Sequence, residues 1–558
     1  MTEPTTNTTP VVPAVPLDVA GMTSAERARM PLSLDVVKAA AEQHGVCTRP
    51  VLREVVDLDS GEVRIVGIRC NSTQASKCPA CAERNRRSRM AQCREGWHLD
   101  HEPVAERHAP TADQVELVTY RADLIAEYRR AVAEGAEDQI EDLREGIREA
   151  DTDIKREGVR GNLPAVERPG KTAPQRSTRR RQDAPNLPRR KVAKRTVGRE
   201  FAGKYRPSTF VTLTLDTYGK VTSDGAPVDP DSYDYRRAAR DAVHFASLVD
   251  RWWQNLRRVV GFDAQYFGTV EPQRRITPHA HFAVRGSIPH KVIRQVTAAT
   301  YLQVWWPDHD HLKYGGGRLP VWDMRVKGFV DPDTQQSLTT WVDAVGELDA
   351  PAHVAEFGRQ VHSKGILGGT EESGRHIGYL TKYLTKSITE VVESNASPRL
   401  ADHADRLAAE LAVTPCSERC AVWLLYGVQP KGVTSKTTPG HCKGKAHRRD
   451  TLGLPGRRVL VSRRWSGKTL AEHKSDRAAF VREALAAAGI AKPDTDRTRL
   501  QWGPVRPGDP HAPSRTELLM HMIAQRLAWQ AEYQQAQAAL VHLRPPGPDV
   551  SATSSVAA

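Results

Sequence analysis

Two histidines flank a single alanine in PHAHFAV, residues 278–284. On a β-strand, residues i and i+2 share a face, so His279 and His281 aim two imidazoles at one point while Ala280 turns the other way. The pair alone equally suits two rings that merely hydrogen-bond. Glu271 shifts the balance, because it closes the preceding strand eight residues before His279, and a hairpin would bring its carboxylate to the same face. Two neutral imidazoles and a carboxylate with open positions suit Mg²⁺ or Mn²⁺ gripping a phosphate. Such an ion would polarise a phosphodiester and stabilise charge as it develops.

A nucleophile for that site lies in YLTKYLTK, residues 379–386. Tyr379 and Tyr383 are spaced i, i+4 and share a helix face, with Lys382 and Lys386 repeating the spacing beside them. An amphipathic helix with aromatics inward and lysines outward has the same pattern. A phenol of pKa about 10 attacks poorly at neutral pH, whereas neighbouring ammonium groups and a metal favour phenolate.

The cysteines form two groups. Cys70, Cys78 and Cys81, with Cys47 upstream, offer four thiols including a CxxC knuckle, the donor set of a closed structural Zn²⁺ site. Cys93 could replace Cys47 in that set, and Cys47 is preferred. Cys416, Cys420 and Cys442, with His441 or His447, offer either a second zinc site or buried free thiols. GKT at 467–469 invites a phosphate-loop reading, but the first glycine of that motif would fall on Ser462, so no fused motor is expected.

These groups need elements to position them. FVTLTLD (210–216) alternates and is β-branched, which predicts a strand, and residues 264–273 predict another before the histidine strand. Residues 233–261 predict a long amphipathic helix with Ala242, Phe245, Val249, Trp252, Leu256 and Val259 on one face. Helices are also expected over 291–306 and 376–388, and a hairpin over 457–467. The order predicts an α+β domain, an antiparallel sheet with helices packed on it. Along the chain this reads as a disordered leader (1–45), a Cys-rich zinc module (46–110), a helical spacer (111–159) with Gly135 and Gly146 as breaks, and a basic linker (160–206). A nuclease domain (207–395), a second Cys/His segment (396–470), a helical region (471–545) and a flexible tail (546–558) follow.

At 558 residues the chain exceeds the size of one hydrophobic core. No apolar run is long enough to span a bilayer and no secretory signal opens the chain, so a cytoplasmic location and no membrane partner are expected. The formal charge is +14, concentrated in residues 171–206, which hold 13 basic and two acidic side chains. A solvated linker or a nucleic-acid partner would explain that block.

Three motifs in order, FVTLTL, PHAHFAV and YLTKYLTK, resemble those of the HUH endonucleases, specifically the two-tyrosine initiators of rolling-circle replication. The wider chain resembles initiators of actinomycete plasmids and integrative elements through KCPACAER (77–84), CAVWLLYGVQPKG (420–432) and GRRVLVSRRWSGKTLAEH (456–473). The resemblance implies metal ligands at His279 and His281, nucleophiles at Tyr379 and Tyr383, and supporting lysines at 382 and 386. Glu271 as third ligand is carried over less firmly, since the family varies there. The implied activity is nicking and rejoining of single-stranded origin DNA through a 5′-phosphotyrosine, with a host helicase and polymerase as partners. A conjugative relaxase would share that chemistry, a zinc-containing regulator would bind DNA without cutting it, and a water-using phosphodiesterase would not need the tyrosines.

Overall fold

A computed structural model of the chain describes residues 34–99, 101–103, 110–159, 163, 186–197, 207–382, 384–386, 390, 397–454, 458–487, 489, 499–506 and 508–543. It has two compact units: residues 1–90, 382–386 and 470–558 form the first, and 91–381 with 387–469 the second.

In the first unit, Val51–Asp57 is the middle strand of a three-stranded antiparallel sheet, between Val63–Ile68 and Leu500–Pro504. The last of these is a strand within a region expected to be mostly helical. Leu34–Gln43 is a helix, although it lies in the stretch expected to be an unstructured leader. Its buried Val37 and Ala41 pack with Leu519 and Ile523 of the helix Arg515–Leu543. Thus residues far apart in the chain share a small core, which no local pattern announces.

The second unit, which opens at the end of the helix Pro79–Trp97, contains a helical hairpin, Ala112–Glu134 (α1) and Glu137–Arg156 (α2). The break falls at Gly135, whose left-handed φ of 72° suits a residue without Cβ. Gly146, the other expected break, lies inside α2, where Leu124 sits 3.6 Å from the position of a Cβ. Tyr128 and Ala131 of α1 and Ile147, Ala150 and Ile154 of α2 are buried.

The central sheet is built from Pro207–Thr214 (β1), Tyr266–Pro272 (β2), Pro278–Val284 (β3), His362–Leu367 (β4) and Val459–Val461 (β5). Its order is β4-β1-β3-β2-β5 and every neighbouring pair is antiparallel. Period-two alternation divides its faces. Val211, Leu213, Val270, Ala280, Phe282 and Val284 enter the main core, together with Phe245, Val249, Trp252 and Leu256 of the helix Tyr235–Val260 (α3). Gly268 on β2 pairs with Phe282, and a Cβ there would lie 2.2 Å from the phenyl ring, so the bare backbone makes room for it. The antiparallel sheet with packed helices fits the α+β expectation.

Two elements differ from expectation. The helix starting at His290 (α4) ends at Ala299, and Tyr301–Val304 is a strand paired with His353–Glu356. Aromatic and branched residues there gain more from a cross-strand partner than from another helical turn. The expected hairpin at 457–467 is instead the single edge strand β5, whose partner is β2 and not its own continuation.

Candidate metal centre and nucleophile

The β2–β3 hairpin sets the site. Its turn is closed by Gln273 N–H donating to Thr277 O (2.8 Å) and Ile276 N–H donating to Gln273 O (2.9 Å). Ile276 takes a left-handed φ of 65°, a conformation costing a β-branched residue on the order of 1–3 kcal/mol. Its side chain is buried in the main core, which holds the turn in this form. The resulting register places Glu271 directly opposite His279, and Thr269 opposite His281.

Donor atoms of Glu271, His279 and His281 therefore all lie within 4.8 Å of one another. The two imidazoles are nearly perpendicular, with centroids 4.5 Å apart. Burial pushes His279 down to about 4, partly offset by the main chain of Glu271, and pushes His281 down to about 3, aided by the neighbouring His279. Both rings are thus neutral at physiological pH, as metal ligands must be. Nδ1 of His279 is shielded from water and has no hydrogen-bond partner among the described residues. An orphaned buried nitrogen is costly, and a cation bound through Nδ1 would relieve it. These three side chains could hold a divalent metal ion.

Thr212 on β1, paired with His281 in register, has its hydroxyl 2.8 Å from His281 Nδ1. When that hydroxyl accepts from Nδ1–H, the Nε2 lone pair faces outward into the site. Tyr379 meets it there: its hydroxyl lies 3.1 Å from Nε2. Tyr379 is on the helix Glu371–Thr381 (α5), and remains 42% exposed, so the phenol is reachable. Phe210 of β1 walls the same face, edge-on to His376 (4.8 Å) and Tyr379 (6.3 Å). The partly buried Arg458 donates from Nε to Val270 O (3.2 Å), and burial lowers its pKa against the opposing charge of Glu271.

Thr212, Phe210 and Arg458 did not stand out in the sequence. Phe210 and Thr212 alternate on the β1 face that pairs with the histidines, and that spacing was the available signal. Helix α5 begins earlier than expected and ends at Thr381, so Tyr379 is helical. Tyr383 lies outside the described residues. Lys382 and Lys386 are exposed residues of the segment after α5 and fall in the first unit. Thr212→Val should leave the fold intact and weaken Mn²⁺ binding about 10-fold or more, as loss of a ligand-orienting hydrogen bond does. Isothermal titration of the two proteins with Mn²⁺ checks this, and equal affinities would mean that Thr212 orients nothing.

In the first unit the Sγ atoms of Cys47, Cys70, Cys78 and Cys81 lie within 4.8 Å of one another, and the Cys47–Cys78 pair is 3.8 Å apart. That spacing is near the edge of a zinc tetrahedron and far from an S–S bond. Cys70 N–H also donates to Cys47 Sγ (3.3 Å). Cys93, the alternative fourth ligand, is fully buried and is not one of the four gathered thiols. This cluster could hold a zinc ion. No helix among the described residues is long and apolar enough to cross a membrane.

The chain is an α+β protein whose antiparallel sheet places two imidazoles and a carboxylate beside an accessible phenol in one unit, with a four-thiol cluster in the other. The chain belongs to the RepSA family of replication initiator proteins: the model described as "RepSA: Replication initiator protein, pSAM2" matches residues 33–525. No curated protein matches the chain. No solved structure matches it either.

Proposed function

We propose that this replication initiator is an HUH-type nicking and joining enzyme that starts rolling-circle replication of a plasmid or integrative element. The observation that carries the reading is the 3.1 Å approach of the Tyr379 hydroxyl to His281 Nε2, on the face that also holds Glu271 and His279. A bound Mg²⁺ or Mn²⁺ would supply Lewis-acid polarisation of the scissile phosphate. Glu271, His279 and His281 would hold it, and Thr212 keeps the His281 ring turned toward it.

Tyr379 gives its phenolic proton to solvent water, and the phenolate oxygen forms the new bond to phosphorus. The P–O3′ bond breaks, the 3′ oxygen takes up a proton to become the free 3′-OH, and the 5′-phosphate remains esterified to the tyrosine. Because the bond energy is retained in that ester, the 3′-OH of a later strand can reverse the step and seal the circle. Tyr383 serves as the second nucleophile and cuts the regenerated origin, while Lys382 and Lys386 contact flanking phosphates. Single-stranded origin DNA is the substrate, with a host helicase and polymerase as partners.

The test uses labelled single-stranded oligonucleotides tiling the element's origin, with Mn²⁺ and wild-type, Tyr379→Phe, Tyr383→Phe and double-Phe proteins. A denaturing gel reads protein–DNA adducts. The expected result is an adduct in the wild type that disappears in the double variant. Cleavage without an adduct, unchanged in the double variant, would show hydrolysis by water. Tight binding to every origin segment with no cleavage would favour a regulator, and cutting confined to a transfer origin would favour a relaxase.

A further inference from the structure

A second cluster of soft ligands lies in the other unit from the four-thiol module. The donor atoms of Cys416, Cys420, Cys442 and His447 lie within 4.8 Å of one another. Cys416 Sγ is 3.9 Å from Cys442 Sγ, and Cys420 Sγ is 3.3 Å from His447 Nε2. A tetrahedral zinc ion with bonds of about 2.3 Å to sulfur and about 2.0–2.1 Å to nitrogen sets ligand–ligand edges of roughly 3.5–3.8 Å. The sulfurs are too far apart for a disulfide, whose S–S bond is about 2.05 Å. We propose that these four side chains form a second, structural zinc site.

Three further contacts point the same way. His447 is held by its other nitrogen, with Nδ1 2.9 Å from Leu411 O. Donation from Nδ1–H to that carbonyl leaves the Nε2 lone pair facing the thiols, the arrangement by which metal-binding histidines are oriented. Gly444 N–H donates to Cys442 Sγ at 3.3 Å, which favours thiolate. A Cβ on Gly444 would lie 2.9 Å from Cys416 Sγ and 3.2 Å from Cys442 Sγ, so the backbone there wraps directly around the sulfurs. His441, the other histidine beside Cys442 in sequence, is not one of the four donors.

The donor set chooses the ion. Three thiolates and an imidazole are soft ligands that suit Zn²⁺ and not Mg²⁺ or Mn²⁺, and four protein ligands leave no open position for substrate. The site also has structural work to do. Regular structure between residues 414 and 447 is limited to two 3₁₀ turns, Ala421–Tyr426 and Lys445–His447, and the two-residue strand Val428–Gln429. Through Leu411 the cluster ties this segment to the helix Pro398–Val413 (α6), whose Leu400, Leu407 and Leu411 are in the main core. Ion binding would cross-link a stretch that has little regular secondary structure.

The test is metal content of the full-length protein after dialysis against a mild chelator, measured by inductively coupled plasma mass spectrometry. With both clusters loaded, the wild type should carry two zinc ions per chain, and Cys442→Ala should carry one fewer. Equal zinc in the two proteins would overturn the proposal. Should Cys442→Ala fail to fold, His447→Cys is the second variant. Its zinc content should stay at the wild-type level, and in the cobalt-substituted protein its d–d bands should shift as sulfur replaces nitrogen. A cobalt spectrum identical to wild type would exclude His447 as a ligand. Neither readout depends on DNA cleavage, so the result stands apart from the nicking reaction.

Discussion

His281→Gln is expected to slow adduct formation on single-stranded origin DNA by about a thousandfold or more, equivalent to roughly 4 kcal/mol of lost transition-state stabilisation. His281 lies between Thr212 at Nδ1 and Tyr379 at Nε2, and its donor atom joins those of Glu271 and His279. Replacing the imidazole removes a neutral nitrogen donor and also the group that meets the Tyr379 hydroxyl, the proposed nucleophile. Glutamine keeps polarity and approximate volume, so the fold should survive in this largely buried position. DNA affinity should change little, because neutralisation of backbone phosphates by basic side chains generally dominates protein–DNA affinity. Single-turnover kinetics over a range of Mn²⁺ concentrations is the measurement. Partial rescue at high Mn²⁺ would place the defect in metal binding, and a wild-type rate would remove His281 from the reaction. His279→Gln should behave alike, since its shielded Nδ1 lacks any other hydrogen-bond partner among the described residues.

The largest effect on stability is expected at Arg285, just beyond β3, where Arg285→Ala should destabilise the second unit by about 3–5 kcal/mol. The guanidinium is buried and donates from Nε (2.9 Å) and Nη2 (2.7 Å) to Gly96 O, and from Nη1 to Thr196 Oγ1 (2.9 Å) and Arg464 O (3.4 Å). It also stacks over Trp465, 5.3 Å from the ring centroid. Burial lowers its pKa to about 10, with Glu102 opposing the shift, so it stays charged at neutral pH. Truncation would strand several acceptors from segments remote in sequence and open a cavity beside a fully buried tryptophan. Arg285→Lys should recover little, because a point charge cannot span the same fork of acceptors. Thermal or urea unfolding followed by tryptophan fluorescence measures the loss, and an unchanged midpoint would show the network to be dispensable.

Much of the candidate site was legible from local pattern. A strand period of two puts His279 and His281 on one face whatever the fold around them, and the short link from Glu271 demands a hairpin. The long helix read from Phe245, Val249, Trp252 and Leu256 is buried along that stripe, because a period of 3.6 dictates which side must avoid water. Where local preference and long-range pairing compete, pattern failed. Tyr301–Val304 continues a helical run but becomes a strand because His353–Glu356 is available to pair with it. Residues 457–467 suggested a self-contained hairpin, yet β5 pairs with β2.

Taken alone, the amino-acid sequence determined the types of the candidate donors and the shared face of the two histidines. Only the tertiary structure set the Thr212 hydroxyl against His281 Nδ1 and the Tyr379 hydroxyl against Nε2, gathered Cys47 and not Cys93 with the other three thiols, and placed His447 and not His441 against Cys420. The reason is one of range. Periodicity and donor chemistry act over a few residues and are written in order along the chain, whereas these choices depend on strand register and loop closure between distant segments, which local spacing does not specify.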